Sequence, residues 1–463
     1  MTHLAVRSSQ ENASKNPIDS VGRFSTNCCD GARQWVEQLV GPHFGLIESL
    51  QCVTTEPDDL PLHVYAGRLG NTAAFASLEV PRTCSGAGLV AEQALAACIG
   101  EGVERYAAGL PAPGALTRAT ACHLPGRAIT PDRFALFSNR QYWQSQRRFP
   151  FQRWVPSDSI GWVRSRQVES GDPVWVPAAF VYQPYQPASN EPLIAPSLST
   201  GLACGTDHTS AVIAGLCEVI ERDAVTLAWI GQIQPPRIEV RDRELSDDVG
   251  TIIEMLNQRG FRWAAFDLTT DAGVPVIAAL VQGESPVGSI VSFGSACHPN
   301  ANRAMLKALT EAVHCRMYVK SLIRREPLWK AGRGFRSVTS FADHARFYSV
   351  HGEYRQRLER WWSSTKFVDC RDASPPSPVE WLGKQVETLA GAGYETLVID
   401  LTPPDVVHLG LHVVRVLLPG FQPLHGNHHW AHLGGDRLGR LSSAFGPDVS
   451  QPLRWNRYPH PCA

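Results

Sequence analysis

The chain has 463 residues, 43% of them hydrophobic and 19% charged, enough to bury one large core or two modest ones. Its net charge of −1 gives no polyelectrolyte character, so we expect neither nucleic acid nor a membrane surface as a principal partner. No run approaches the length of a membrane span and the first twenty residues lack the apolar segment of a signal peptide, which favours a cytoplasmic protein.

In chain order, residues 1–62 are expected to form an N-terminal extension with one short helix, in GARQWVEQLVG. Two alternating segments then predict strands, HVYAGRL and NTAAFASLEV. The first strong helical pattern, Ala94–Tyr106, follows the small residues TCSGAG. Residues 110–190 are rich in Pro, Arg and aromatic residues, which indicates long connections with short strands. Their clustered Arg and Trp side chains are either ordinary surface packing or a peptide-binding surface.

The second helical pattern is Ala211–Trp229, with Val212 and Leu216 on an apolar face and Glu218 and Glu221 opposite. Three predicted strands lead into a third helical run, Leu306–Arg316, and the last elements are a helix over Ala342–Trp362 and two strands. The five strands are FRWAAFDLT, VPVIAALVQG, SIVSFGSAC, ETLVIDLT and LHVVRVLLPG. Their continuous apolar runs suit sheets covered on both faces. We predict a mixed α/β fold (α+β) of two related sheet-and-helix halves over 63–452, then a proline-containing tail, 453–463.

Charged side chains repeat between the helices. At a constant offset, Glu101, Glu104 and Arg105 superimpose on Glu218, Glu221 and Arg222. Each helix follows a segment of small residues, TCSGAG or TGLACG, which we expect to be a loop. The third helix places Glu311 and His314 where the other two carry their carboxylates. Three helices with similarly placed polar pairs indicate one shared site.

Clustered carboxylates repel one another unless a hard cation lies between them, and Mg²⁺ is usually held by one or two carboxylates and by phosphates. We therefore predict a magnesium site at Glu101, Glu104, Glu218 and Glu221. Arg105 and Arg222 would then meet the phosphates. The alternative for a single ExxER is a solvated, salt-bridged helix face, and the duplication argues against it.

Three other kinds of site were weighed. Gly86-Ala-Gly88-x-x-Ala91 resembles a dinucleotide fingerprint, but the acidic residues that follow continue the same helix and do not end a second strand. Histidines of a Pro- and Gly-flanked loop could bind zinc: His425, His428, His429 and His432. Cys28 and Cys29 could form a redox pair, but no residue near them in sequence would activate a thiolate. The twelve cysteines contain no CxxC and favour reduced core thiols.

As an ordered set, these motifs resemble the YcaO family of ATP-dependent enzymes. The set comprises the two ExxER helices, STGLACG before EVIERDA, a later ALTE, VVRVLLPG and a Pro-His-Pro end. More narrowly, residues 71–463 resemble the cyclodehydratase D protein of thiazole/oxazole-modified peptide pathways. The resemblance implies conversion of Cys, Ser or Thr in a ribosomal precursor peptide to thiazoline or oxazoline, through phosphorylation of the backbone amide oxygen. Thioamide or amidine formation and a nonenzymatic, precursor-binding subunit are the alternatives.

The resemblance also implies ATP and Mg²⁺ as cofactors and assigns roles to residues. Those at the nucleotide would be Glu101, Glu104, Arg105, Glu218, Glu221, Arg222, Glu311, His314 and Arg415. Four positions depart from the family pattern and lower the expected turnover: Ala87, Ala97, Ser210 and His314. The tail would act in catalysis through Pro459, Pro461 and Ala463, anchored by Trp455 and Tyr458. Implied partners are the precursor peptide, a separate E1-like leader-binding protein and a second copy in a homodimer.

Overall fold

A computed structural model describes residues 30–74, 78–144, 149–240, 246–369 and 377–463. Its strands are β1 Ile47–Cys52, β2 His63–Leu69, β3 Thr83–Gly88, β4 Thr117–Ala119, β5 Ile160–Gln167, β6 Pro173–Pro177, β7 Leu202–Gly205, β8 Arg237–Glu239, β9 Arg262–Asp267, β10 Val276–Gly283, β11 Ile290–Cys297, β12 Phe367–Asp369, β13 Leu397–Asp400 and β14 His412–Leu417. Its helices are α1 Asp30–Leu39, α2 Ala91–Ala108, α3 Asn139–Tyr142, α4 His208–Ile230, α5 Asp247–Gln258, α6 Ala301–Arg325, α7 Phe341–Val350, α8 Glu359–Trp362, α9 Pro378–Gly391, α10 Pro404–Val407 and α11 Leu441–Phe445.

The strands form three sheets, which confirms the mixed α/β class. Their orders are β1-β2-β3, then β4-β5-β13-β14-β7 with β6 on β5, and β11-β10-β9-β8-β12. In each sheet one edge strand runs directly into a long helix: β3 into α2, β7 into α4 and β11 into α6. The repeated unit is therefore an edge strand with its helix, and it occurs three times where the sequence predicted two halves.

Small residues mark these edge strands because each helix packs very close to its strand. A Cβ at Gly86 would lie 2.1 Å from the carbonyl oxygen of Ala94, and one at Gly294 would lie 2.3 Å from that of Ala308. Both distances are far inside van der Waals contact, so only glycine fits. The segments TCSGAG and LACG are consequently strands β3 and β7, and the prediction of loops there was wrong.

Helix α4 lies at the centre and is buried nearly all round. It packs on its own strand β7 and on β14 with one side and on β11 with another. The sequence predicted an apolar face with Glu218 and Glu221 on a separate polar side; instead Glu221 and Asp223 are buried. Asp223 is compensated by Arg437, whose Nη2 lies 2.6 Å from it. The polar side of this helix is thus an internal surface.

Several boundaries differ from the sequence predictions. Residues 30–62 contribute α1 and β1, and β1 pairs antiparallel with β2, so this part of the expected extension belongs to the first sheet. The predicted strand at 71–80 is a short 3-10 turn at Thr72–Ala74, with 75–77 outside the described residues. The helix expected over Ala342–Trp362 is broken after Val350 by a 3-10 turn. Helices α5 and α9 were not predicted.

Residues 110–190 form one end of the six-stranded sheet, and many of their aromatic rings are buried there. Trp162 is fully buried, and Phe137, Phe149 and Phe151 pack together as neighbours. Core packing therefore accounts for these rings. The described cysteines are free thiols, six of them buried, while Cys28 and Cys29 lie outside the described residues. Among the described residues, no helix is long and apolar enough to cross a membrane.

Candidate functional site

In each repeated helix, the glutamate that opens the polar pair (Glu101, Glu218 or Glu311) accepts a backbone hydrogen bond from its own edge strand or from the residue just before that strand. The three bonds run from Ser85 N–H to Glu101 Oε2 at 2.6 Å, from Gly201 N–H to Glu218 Oε2 at 3.1 Å and from Ser295 N–H to Glu311 Oε2 at 2.9 Å. An edge strand presents N–H groups without partners in its sheet, and the carboxylates satisfy them. This is why the same carboxylate recurs in all three units.

The second glutamate crosses to the next unit. Glu104 of α2 accepts the Cys204 N–H of the second unit at 2.7 Å. Glu221 of α4 accepts the Cys297 N–H and the Ser295 hydroxyl of the third unit, at 3.2 and 2.7 Å. In the third helix this position is His314, which lies in the electrostatic field of Glu101 in the first unit. The three units therefore close into a ring with the polar side chains inside.

Burial and mutual repulsion keep protons on several of these carboxyl groups. Burial, with the charge of Glu218, raises the pKa of Glu104 to about 8. Burial likewise raises the pKa of Glu218 to about 7, opposed by Arg222, and that of Glu311 to about 7, with repulsion from Glu221. Burial lowers the pKa of His314, so its imidazole is neutral at physiological pH. Without a bound cation, several carboxyl groups of the ring are therefore protonated near neutral pH.

Two arginines lie inside the same ring. Arg105 donates to Glu101 Oε1 at 2.5 Å. Arg222 stands between carboxylates, with its Nε 3.8 Å from Glu218 and 3.9 Å from Glu221. Burial disfavours the charged form of the guanidinium, but the neighbouring carboxylates outweigh this and raise the pKa of Arg222. A permanent positive charge is therefore fixed at the centre of the site.

Arg415 of β14 serves the loop before β7. Its guanidinium donates to the carbonyl oxygens of Val181, Thr200 and Leu198 at 3.0, 2.8 and 2.7 Å. Burial lowers the pKa of Arg415 to about 10, although the negative charges of Glu218 and Glu104 act to raise it. Arg415 thus holds in place the backbone that presents Gly201 to Glu218.

A family model described as YcaO cyclodehydratase, ATP- and Mg²⁺-binding, matches residues 85–422. This span is more than half of the chain and contains all three repeated units except the first two residues of β3. The chain belongs to the YcaO family.

Similar proteins were found by sequence and by structure. An uncharacterized protein of Methanothermobacter thermautotrophicus is 29% identical over 273 residues, 57% of this chain and 66% of its own length. A heterocyclase in complex with substrate and cofactor has a TM-score of 0.72 at 23% identity, covering 93% of this chain and 56% of its own. YcaO from Methanopyrus kandleri, bound with AMPPCP and Mg²⁺, has a TM-score of 0.58 at 22% identity, covering 81% and 86%. The chain thus spans under two thirds of the first relative's length, and the structural likeness shows the fold.

The cofactors of this YcaO family member are ATP and Mg²⁺, and its polar ring fits them. Among the described residues, two clusters have three or more potential ligand atoms within 4.8 Å of one another, and neither contains a glutamate of the polar ring. The glutamates of the ring therefore do not enclose a metal site by themselves. They are arranged instead as neighbouring pairs, Glu104 beside Glu218 and Glu221 beside Glu311. Mg²⁺ is commonly bound by one or two carboxylates together with phosphates, which is what paired glutamates offer.

The tail is docked beside the ring. Trp229 and Tyr348 donate to the carbonyl oxygens of Tyr458 and Pro459, at 3.0 and 2.7 Å. The thiol of the buried Cys462 lies in the field of Arg222 and the two neighbouring carboxylates, Glu221 and Glu311. Pro459 and Pro461 are buried, while Ala463 is partly exposed and packs near Cys315 and Val319. The expected anchor Trp455 also packs against the core.

An apolar pocket borders the loop that Arg415 holds, since Leu198 and Thr200 are part of its lining. It is lined mainly by Phe134, Phe180, Leu198, Thr200, Val219 and Val416. Two buried acceptors also face it, Gln422 and His432; among the described residues, Gln422 Oε1 and His432 Nε2 have no hydrogen-bond partner. Nothing in the local sequence pattern predicted this pocket, because its walls come from six separate segments.

The departures from the family pattern have local roles. Ser210 forms a capping box with Asp207 at the start of α4, with its N–H 2.9 Å from the carboxylate. Ala87 packs partly buried against the core beneath the first and third sheets. Ala97 is exposed on α2. Only His314 of the four faces the polar ring.

Proposed function

We propose that this protein is an ATP-dependent cyclodehydratase that converts Cys, Ser or Thr residues of a ribosomal precursor peptide to thiazoline or oxazoline. One observation carries the proposal: three strand–helix units close around five glutamates and Arg222, with the docked tail beside them. Such a site suits phosphoryl transfer, in which positioning and charge neutralisation do most of the catalysis.

Ring formation needs an oxygen to leave the amide carbon. The substrate's side-chain sulfur or oxygen adds to the preceding carbonyl carbon and gives up its proton, leaving that carbonyl oxygen singly bonded. ATP supplies the phosphoryl group that turns this oxygen into a good leaving group. The C–O bond then breaks, phosphate departs with the bonding electrons, the amide nitrogen loses its proton, and a C=N bond completes the azoline.

The residues of the ring contribute charge and position to this sequence. Glu104 and Glu218 would hold a divalent cation, and they would release their protons as the cation binds. Arg222 would neutralise charge on the transferred phosphoryl group. Arg105, Glu101, Glu311 and His314 would complete the nucleotide-binding surface. The tail, through Pro459, Pro461 and Ala463, would orient the peptide next to it.

Calorimetry with Mg·ATP tests the shared site. Glu218→Gln keeps an acceptor for the Gly201 N–H but removes one negative charge, and we expect at least a tenfold loss of affinity. Glu254→Gln, on the exposed face of α5, is the matched control and should bind like the unchanged protein. Undiminished affinity of Glu218→Gln for Mg·ATP would refute the site.

Mass spectrometry of a ribosomal precursor peptide, incubated with this protein and ATP, tests the reaction. Cyclodehydration removes one water per ring, whereas thioamide formation by the same activation step replaces oxygen with sulfur. A nonenzymatic, precursor-binding subunit would retain the peptide and consume no ATP. Leader recognition by a separate E1-like protein and assembly as a homodimer stay predictions, checked by co-purification and by light scattering.

A further inference from the structure

Histidines from three distant segments meet beneath the tail. His344 lies on α7, His425 follows β14 and His460 belongs to the tail. Their side chains are buried, with exposed fractions of 0%, 5% and 1%. One ring nitrogen from each lies within 4.8 Å of the others. The rings of His344 and His460 stack at 3.7 Å, and that of His425 stands nearly perpendicular to them.

Hydrogen bonds fix where the protons are. His344 Nδ1 lies 3.1 Å from the carbonyl oxygen of His460, and His460 Nε2 lies 2.8 Å from that of His425. A carbonyl oxygen only accepts, so both of these nitrogens carry the proton. The opposite nitrogens, His344 Nε2 and His460 Nδ1, therefore present lone pairs.

These lone pairs are poorly used within the protein. Among the described residues, His344 Nε2 and His425 Nδ1 are buried and have no hydrogen-bond partner. His460 Nδ1 accepts only a long bond from the Cys462 N–H, at 3.3 Å. Buried polar nitrogens are normally satisfied, and orphans at one place call for an explanation.

The arrangement is that of imidazoles prepared for a metal ion. Histidines that bind metals donate their other ring N–H to a carbonyl or carboxylate, which fixes the tautomer and aims the lone pair. Burial, reinforced by the neighbouring imidazoles, lowers the pKa of His344 and His425 well below the usual value, so both rings are neutral. Neutral imidazoles suit zinc and similar divalent ions, in contrast to the carboxylates that suit Mg²⁺.

We propose that His344, His425 and His460 bind one zinc-class divalent ion, which fastens the tail to α7 and to the loop after β14. Zinc–nitrogen distances are about 2.0–2.1 Å, so the stacked rings of His344 and His460 must tilt apart as the ion enters. Three of the four histidines considered as zinc ligands from the sequence lie outside this group. His432 lines the apolar pocket, and the other two lie on a 3-10 turn at His428–Trp430.

Metal analysis of the full chain, produced without a histidine tag, tests the proposal. We expect one equivalent of zinc per chain, falling at least tenfold in His344→Gln and in His425→Gln. His408→Gln, at an exposed histidine, is the matched control and should keep the full content. Zinc retained in both variants, or lost equally in the control, would overturn the proposal.

A second measurement covers the case in which the variants fail to fold. The unchanged protein is stripped with a chelator and titrated with Co²⁺, whose visible bands report coordination by imidazole nitrogen. One equivalent of Co²⁺ should restore the melting temperature lost on stripping. Absence of both the bands and the thermal shift would show that the stacked histidines are an ion-free packing element. Neither measurement uses ATP, so its outcome is independent of the proposed cyclodehydratase activity.

Discussion

Glu104 should make the stability of the apoprotein fall as pH rises, and Glu104→Gln should remove the part of this pH dependence that Glu104 contributes. Burial and the charge of Glu218 raise the pKa of Glu104 from 4.5 to about 8. The folded state therefore holds more protons than the unfolded state between these values, and linkage makes the free energy of unfolding decrease as pH rises through this window. Above pH 8 both states are ionised at this residue and the decrease ends.

The size of the effect follows from the shift. Each pKa unit corresponds to about 1.4 kcal/mol, so ionising Glu104 in the folded state costs up to about 5 kcal/mol. Glu104 as a residue is only partly buried and its carboxyl group is coupled to Glu218, so we expect roughly 2–4 kcal/mol between pH 5 and 9. Gln keeps an acceptor for the Cys204 N–H but carries no charge.

Urea unfolding in EDTA, measured at several values between pH 5 and 9, provides the assay. The stability advantage of Glu104→Gln over the unchanged protein should grow with pH and level off above about pH 8. When Mg·ATP replaces EDTA, this advantage should shrink, because a bound cation favours the ionised carboxylate. Glu254→Gln should show no such trend. A difference between Glu104→Gln and the unchanged protein that stays flat from pH 5 to 9 would refute the account of the polar ring.

Three further outcomes are expected. His314→Gln should leave Mg·ATP affinity within about threefold, because an amide offers the hydrogen bonds of a neutral imidazole; loss of bound metal in this variant would contradict that role. Gly294→Ala should lower the free energy of unfolding by more than about 2 kcal/mol, since its Cβ would lie 2.3 Å from a helix carbonyl, whereas Gly250→Ala, in open space on α5, should not destabilise. Deleting Pro461–Ala463 should stop ring formation, read by peptide mass, while Mg·ATP binding persists; an unchanged cyclisation rate would remove the tail from catalysis.

The local pattern of the sequence was sufficient for the main elements. Apolar periodicity placed the helices now seen at 91–108, 208–230 and 301–325, because burial imposes a 3.6-residue repeat on each. The recurrence of Glu101 and Glu104 at Glu218 and Glu221 identified related units before any contact was known. The strands around Ile290 and Val276 were also predictable from the sequence, since strands buried on both faces need continuous apolar residues.

Only the tertiary structure decided how these elements meet. TCSGAG looks like a loop in sequence because glycine is common in turns, whereas here a helix pressed against the strand requires it. Likewise, nothing near Glu104 in sequence indicates that it accepts the N–H of Cys204, since the bond joins helix α2 to the edge strand of another unit. His344 and His460 stack although more than a hundred residues separate them. Such pairings depend on how sheets and helices pack against one another. Local periodicity carries no information about contacts between residues that are far apart in the sequence.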